Sequence, residues 1–139
     1  MDHTVSIQRL YDLINDGDID GFGRQLAEDF VEHEELPGIP PTKEGVLLYF
    51  EMLLTAFPDL YMEVKDVIVS GDKAVARVLA SGTHKGEFIG IPATGKRASM
   101  YLIDITRFDE DGLAIEHWGV ADQLSMLQQL GVIPDPGQS

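Results

Sequence analysis

Apolar positions recur at helical intervals through the first part of the chain and at every second residue through the rest. Val5, Ile7, Leu10, Leu13 and Ile14 fall near one helical face, with Thr4 as the expected N-cap. Asn15-Asp16-Gly17-Asp18 reads as a turn, and Asp18 is placed to cap a short second helix predicted to run through Leu26. An extended piece starts at Val31 and enters Leu36-Pro37-Gly38-Ile39-Pro40-Pro41, whose prolines exclude a helix. Thr42 then caps a third helix. Its Val46, Leu47, Phe50, Leu53, Leu54 and Phe57 form one broad apolar face, and Pro58 ends it.

From Tyr61 the period becomes two. Met62-Glu63-Val64-Lys65 alternates, Ser70-Gly71-Asp72-Lys73 is a hairpin signal, and Ala74 to Thr83 reads as a second strand. Gly90-Ile91-Pro92-Ala93-Thr94-Gly95 links it to a third strand over Arg97 to Phe108. Asp109-Glu110-Asp111-Gly112 turns the chain into a fourth, Leu113 to Ala121. Asp122 caps a short last helix carrying Leu124, Leu127 and Leu130, stopped by Gly131, and the Pro134-Asp135-Pro136-Gly137 tail is expected to fray. Helices first and antiparallel strands afterwards predict an α+β fold. The expected form is a curved meander of about four strands wrapped around three N-terminal helices, with a cavity between sheet and helices.

A chain of 139 residues supports one domain with one core. The formal net charge of -14 leaves no basic surface for nucleic acid and disfavours anionic membranes. Cysteine is absent, which excludes disulfides, thiolate metal sites and a cysteine nucleophile. Met1-Asp2-His3-Thr4 has no signal-peptide character and no apolar run approaches a membrane span, so a cytoplasmic protein is expected.

Two ionisable residues stand in apolar strand settings, Asp104 in Ile103-Asp104-Ile105 and His117 in Ile115-Glu116-His117-Trp118. Burying such groups is costly unless they are paired or used, which makes them the leading site candidates. Alternation puts Met100, Leu102, Asp104, Thr106 and Phe108 on one face, and Ile115, His117 and Gly119 on one face of the next strand. An Asp–His pair can serve as an acid/base dyad, since the carboxylate orients an imidazole that titrates near neutrality. It can equally brace a sheet without turnover.

His33, at the start of the proline loop, is expected at the cavity mouth as a substrate contact. A metal set of His33, Glu34, Glu35 and His117 lacks the paired histidines on one helical face of a zinc motif, so no metal is expected. Tyr49, Phe50, Met52, Leu53 and Phe57 read as core, with some reaching a ligand. His84 reads as a turn residue, and Gly86, Gly90 and Gly95 as turn glycines, not a phosphate cradle.

Ala56-Phe57-Pro58-Asp59, the His84-Lys85-Gly86-Glu87-Phe88 to Thr94-Gly95-Lys96 segment, and Glu116-His117-Trp118-Gly119 to Asp122 together resemble the SnoaL-like polyketide cyclases of the NTF2-like superfamily. The resemblance spans about Ile7 to Val132. It implies a cone-shaped α+β domain and cofactor-free aldol cyclisation, in which a pocket Asp on the last strand moves the proton and a pocket His on the preceding strand assists. Matched strand to strand, that His falls on Asp104 and that Asp on Gly119, which cannot transfer a proton. Asp104 and His117 would then be an exchanged dyad facing into the cone, with His33, Phe50, Leu53, Phe57 and Leu102 contacting a small apolar carbonyl-bearing ligand.

Three functions follow from this. The first is a cyclase- or isomerase-type acid/base enzyme. The second is an epoxide or ester hydrolase, which wants a pocket arginine (Arg77 is the one to hand) beside two carboxylates, of which no second is obvious. The third is a non-catalytic ligand-binding or dimerisation module. Tyr101, Ile103, Ile105, Trp118 and Val120 fall on the convex face, where they suit a homodimer interface, with a tetramer also open.

Overall fold

The computed structural model describes residues 2–134, so most of the tail expected to fray lies outside the described residues. In chain order the elements are α1 (His3–Asn15), α2 (Ile19–Arg24), β1 (Leu26–Glu32), α3 (Lys43–Ala56), β2 (Tyr61–Ser70), β3 (Lys73–Thr83), β4 (Arg97–Phe108), β5 (Ala114–Ala121) and α4 (Gln123–Gln129). None of these helices is long and apolar enough to cross a membrane.

Local chemistry sets most of the boundaries. Asp18, Thr42 and Asp122 cap their helices by accepting from the backbone N–H of Gly21, Gly45 and Ser125. At α1 the cap is Asp2 and not Thr4: Asp2 Oδ1 accepts from the Thr4 N–H at 2.9 Å, drawing Thr4 into the first turn. Gly71 turns β2 into β3 at a φ of 61°, and Gly131 ends the last helix at a φ of 78°.

The sheet has five strands, in the order β1-β5-β4-β3-β2, where a meander of about four was expected. The addition is β1, which pairs with β5 in parallel, Glu32 opposite His117. The second helix stops at Arg24, because Leu26 already belongs to this strand. The β4–β5 ladder carries a bulge between Arg107 and Phe108, leaving Ile115 without a register partner. Ala114, not Ile115, therefore shares the inner face with His117. Helices α1, α2 and α3 cover that face, and Ile7, Leu10, Ile14, Phe22, Val46 and Val78 are among the residues buried between.

Candidate active site

Antiparallel register sets Asp104 opposite Gly119 and Thr106 opposite His117, so Asp104 and His117 are diagonal neighbours on the inner face. His117 Nε2 lies 2.8 Å from Asp104 Oδ1. Its Nδ1 lies 2.5 Å from Glu32 Oε2, a contact that the parallel β1–β5 register makes possible. From α1 the Tyr11 hydroxyl donates to Asp104 Oδ2 at 2.6 Å. The result is a continuous chain, Tyr11–Asp104–His117–Glu32. The His117, Asp104 and Glu32 side chains are only 19%, 13% and 7% exposed.

A neutral imidazole has one N–H and cannot donate to two carboxylates, whereas an imidazolium donates to both. Burial disfavours the charge, but the hydrogen bonds to Asp104 and Glu32 and the charges of those carboxylates outweigh it and push His117 up to about 10. His117 is therefore a standing cation at neutral pH.

A third carboxylate joins this pair. Glu34 sits just beyond β1, where the chain is pinned by hydrogen bonds from Glu32 N–H to Pro41 O at 3.1 Å and from His33 N–H to His117 O at 2.9 Å. Its own N–H donates to Glu32 Oε2 at 3.2 Å. One carboxylate oxygen of Glu34, one of Asp104 and a ring nitrogen of His117 lie within 4.8 Å of one another. Burial pushes Glu34 above the ordinary carboxylate range; the His117 charge opposes this, and the Asp104 and Glu32 charges reinforce it. Burial, together with the charges of Glu34, Asp104 and Glu32, pushes the Tyr49 hydroxyl up to about 12.

This cluster is the polar end of an otherwise apolar cavity of about 130 Å³ beneath α3. That is room for about one six-membered ring. Phe50, Leu53, Phe57 and Leu102, expected from the sequence to contact a ligand, line it together with Leu36 from the proline loop. His33 does not. The strand-like alternation of Glu32, His33 and Glu34 turns the two carboxylates inward and the imidazole outward. There His33 stacks on Trp118 at 4.8 Å and lies 2.8 Å from Glu116 Oε2. Met52 is exposed on the outer side of α3 and is not core. Arg77 is also exposed on the outer face, over the Tyr101 ring, and no arginine or lysine lines the cavity among the described residues. The second carboxylate that a hydrolase would want is supplied twice, by Glu32 and Glu34.

Glu34, Asp104 and His117 could each offer one ligand atom to a cation. Coordination by His117 would require removing a ring proton from a hydrogen bond to a carboxylate, which sets this donor set against a metal. A phosphate-bearing cofactor would find no arginine or lysine lining the cavity among the described residues, and the His117 cation there already faces two carboxylates.

The other conspicuous residues support the fold. Asp59 accepts from the Thr83 N–H at 2.7 Å and the Thr83 hydroxyl at 2.8 Å, which holds its carboxyl below the usual range and ties the end of α3 to β3. His84 is fully buried against Phe57 and accepts from the Thr94 N–H at 3.2 Å, closing the loop between β3 and β4.

A model of the SnoaL-like polyketide cyclases matches residues 4–130. Among solved structures, IdmH from Streptomyces antibioticus, described as a candidate polyketide cyclase, is 33% identical with a TM-score of 0.83, covering 95% of this chain and 100% of that one. AclR from Streptomyces galilaeus, described as a candidate hydroxylase, is 29% identical with a TM-score of 0.85, covering 98% and 85%. TsrD from Streptomyces laurentii is 33% identical with a TM-score of 0.81, covering 93% and 97%. No curated protein sequence matches the chain.

Proposed function

Because the chain belongs to the SnoaL-like polyketide cyclase family, we propose that it performs cofactor-free acid/base chemistry, an intramolecular aldol cyclisation or a related proton transfer, on a small, largely apolar, carbonyl-bearing substrate. The observation that supports this best is the Tyr11–Asp104–His117–Glu32 chain at the polar end of an apolar cavity. A mostly apolar lining holds a hydrophobic ring, and the ionisable cluster fixes where its carbonyl lies.

Within that reading the dyad divides its labour differently from the sequence expectation. His117, charged and hydrogen-bonded on both nitrogens, does not shuttle a proton near neutrality. It is a fixed cation that favours the negative charge of an enolate forming beside it. Proton transfer falls to a carboxylate of the cluster. The hydrolase alternative is disfavoured by the position of Arg77 on the outer face.

A binding module is the second reading, favoured by one observation: every ring nitrogen of His117 and both oxygens of Asp104 are already satisfied within the protein. Heptane-2,6-dione, a small apolar diketone able to close a six-membered ring, separates the two. An enzyme exchanges its α-hydrogens in D₂O and cyclises it, and Asp104→Asn lowers both by on the order of 100-fold. A binding module gives calorimetric heat with no exchange.

A further inference from the structure

We propose that Glu34 is the catalytic acid/base of this chain and that the bare backbone of Gly119 is what gives its carboxylate a place in the cavity. This rests on the acid/base reading above and names the group that moves the proton.

The first observation is steric. A Cβ on Gly119 would stand 2.7 Å from Asp104 Oδ1 and 2.8 Å from His117 Cε1, and would collide most severely with Glu34 Oε1. The volume a side chain at position 119 would fill is therefore occupied by a carboxylate arriving from just beyond the neighbouring strand, β1. Any side chain at 119 and the inward pose of Glu34 exclude each other.

The second observation is a difference in hydrogen bonding. Asp104 accepts from Tyr11 on one oxygen and faces His117 with the other. Glu32 faces His117 and accepts from the Glu34 N–H. The Glu34 carboxylate accepts no hydrogen bond from any described residue, yet it lines the cavity. Of the three carboxylates it alone accepts nothing on either oxygen from the described residues, so both face the cavity uncommitted.

The third is electrostatic. His117, Asp104, Glu32 and Tyr49 are the titratable groups whose charges couple to Glu34. Burial and the Asp104 and Glu32 charges favour its protonated form, against the His117 charge. A carboxylate raised toward neutrality is a stronger base than an ordinary one and, once protonated, still a competent acid.

The step balances without a co-reactant. Glu34 takes a proton from the carbon beside one substrate carbonyl, and the C–H electron pair becomes an enolate next to the His117 cation. The enolate carbon attacks the second carbonyl carbon of the same molecule. A C–C bond forms, and the π pair moves to the oxygen. That alkoxide takes the proton back from Glu34, regenerating the carboxylate and leaving a cyclic β-hydroxyketone isomeric with the substrate.

The test follows α-hydrogen exchange and ring closure of heptane-2,6-dione by NMR in wild type, Glu34→Gln, Glu34→Ala, and Glu34→Ala combined with Gly119→Asp. Urea denaturation of each checks folding. Glu34→Gln is expected to fold normally and to lose exchange and cyclisation by about 100-fold or more, with dione affinity little changed. The double variant regrows a carboxylate into the same volume and is expected to exchange faster than Glu34→Ala alone. Glu34→Gln with wild-type rates would overturn the assignment while leaving the enzymatic reading intact, and would return the proton to Asp104. A wild type that binds the dione but neither exchanges nor cyclises it would remove both.

Discussion

Tyr11 and Asp104, 93 positions apart, share a 2.6 Å hydrogen bond that ties the first helix to the middle of the sheet. Tyr11 is buried and its hydroxyl is satisfied by this carboxylate; burial first, then the Asp104 charge and the bond itself, lift the phenol well above its usual range. Tyr11→Phe leaves Asp104 Oδ2 without its donor. A loss of about 1–3 kcal/mol in urea-unfolding free energy is expected, the cost of stranding a buried acceptor. A loss within error would mean that water replaces the hydroxyl.

His117→Ala should be far more damaging. It leaves Glu32 and Asp104 as buried carboxylates without a counter-charge, a situation that costs about 3–5 kcal/mol where one partner of a buried pair is removed. The deficit relative to wild type should shrink as pH falls toward 4, because protonating the stranded carboxylates relieves it. A deficit independent of pH would point to lost packing instead of uncompensated charge.

The pH dependence of wild-type stability has a defined sign. Folded His117 holds its proton up to about 10, while the unfolded residue releases it near 6.5. The stabilisation is fully present below pH 6.5, declines as pH rises, and is lost as pH passes about 10, since the folded state binds more protons across that window. Unfolding free energies at intervals from pH 6 to 10 should fall for wild type. The difference between wild type and His117→Gln isolates this group from other alkaline titrations.

His33→Ala should leave dione binding and turnover unchanged, because the imidazole packs on Trp118 outside the cone. A rise in KM would restore the role that the sequence gave it.

The outward strip of β4 and β5 predicts self-association. Tyr101, Ile103 and Val120 are exposed, Val120 at 71%, and Ile103 pairs directly with Val120 across the ladder. We propose a homodimer through this face, because contiguous apolar surface of this kind is seldom left to water. Sedimentation should give a dimer mass for wild type and a monomer for Val120→Glu. A monomeric wild type at micromolar concentration would remove the proposal.

Sequence and structure agree where the signal is local. Helix α3 follows from Thr42 and its apolar face, the β2–β3 turn from Ser70-Gly71-Asp72-Lys73, and the common face of Leu102, Asp104 and Thr106 from simple alternation. Strand β1 did not show itself in this way. Its partner is β5, some 85 residues away, and parallel pairing leaves no turn between neighbours to announce it. Without that strand, nothing local distinguishes the face of Glu32 and Glu34 from that of the histidine between them. A signal was present: Phe30, Glu32 and Glu34 alternate, and the burial of Phe30 fixes the side on which both carboxylates lie. Tyr11 was hidden differently, as one more large residue on an amphipathic helix.

The parallel pairing of β1 with β5 also orders events in time. Glu32 leaves the ribosome long before His117, and the imidazolium that makes its burial tolerable arrives 85 residues later. Until β5 docks, the first strand has neither its ladder nor its counter-charge, so it gains little by settling early. The polar end of the cavity is thus expected to be the last part of the sheet to close. Variants that slow the final strand should accumulate chains with an intact β2–β3–β4 meander and an unformed site, visible in pulse-labelled hydrogen exchange as early protection of Val78 and late protection of His33, whose N–H donates to His117 O.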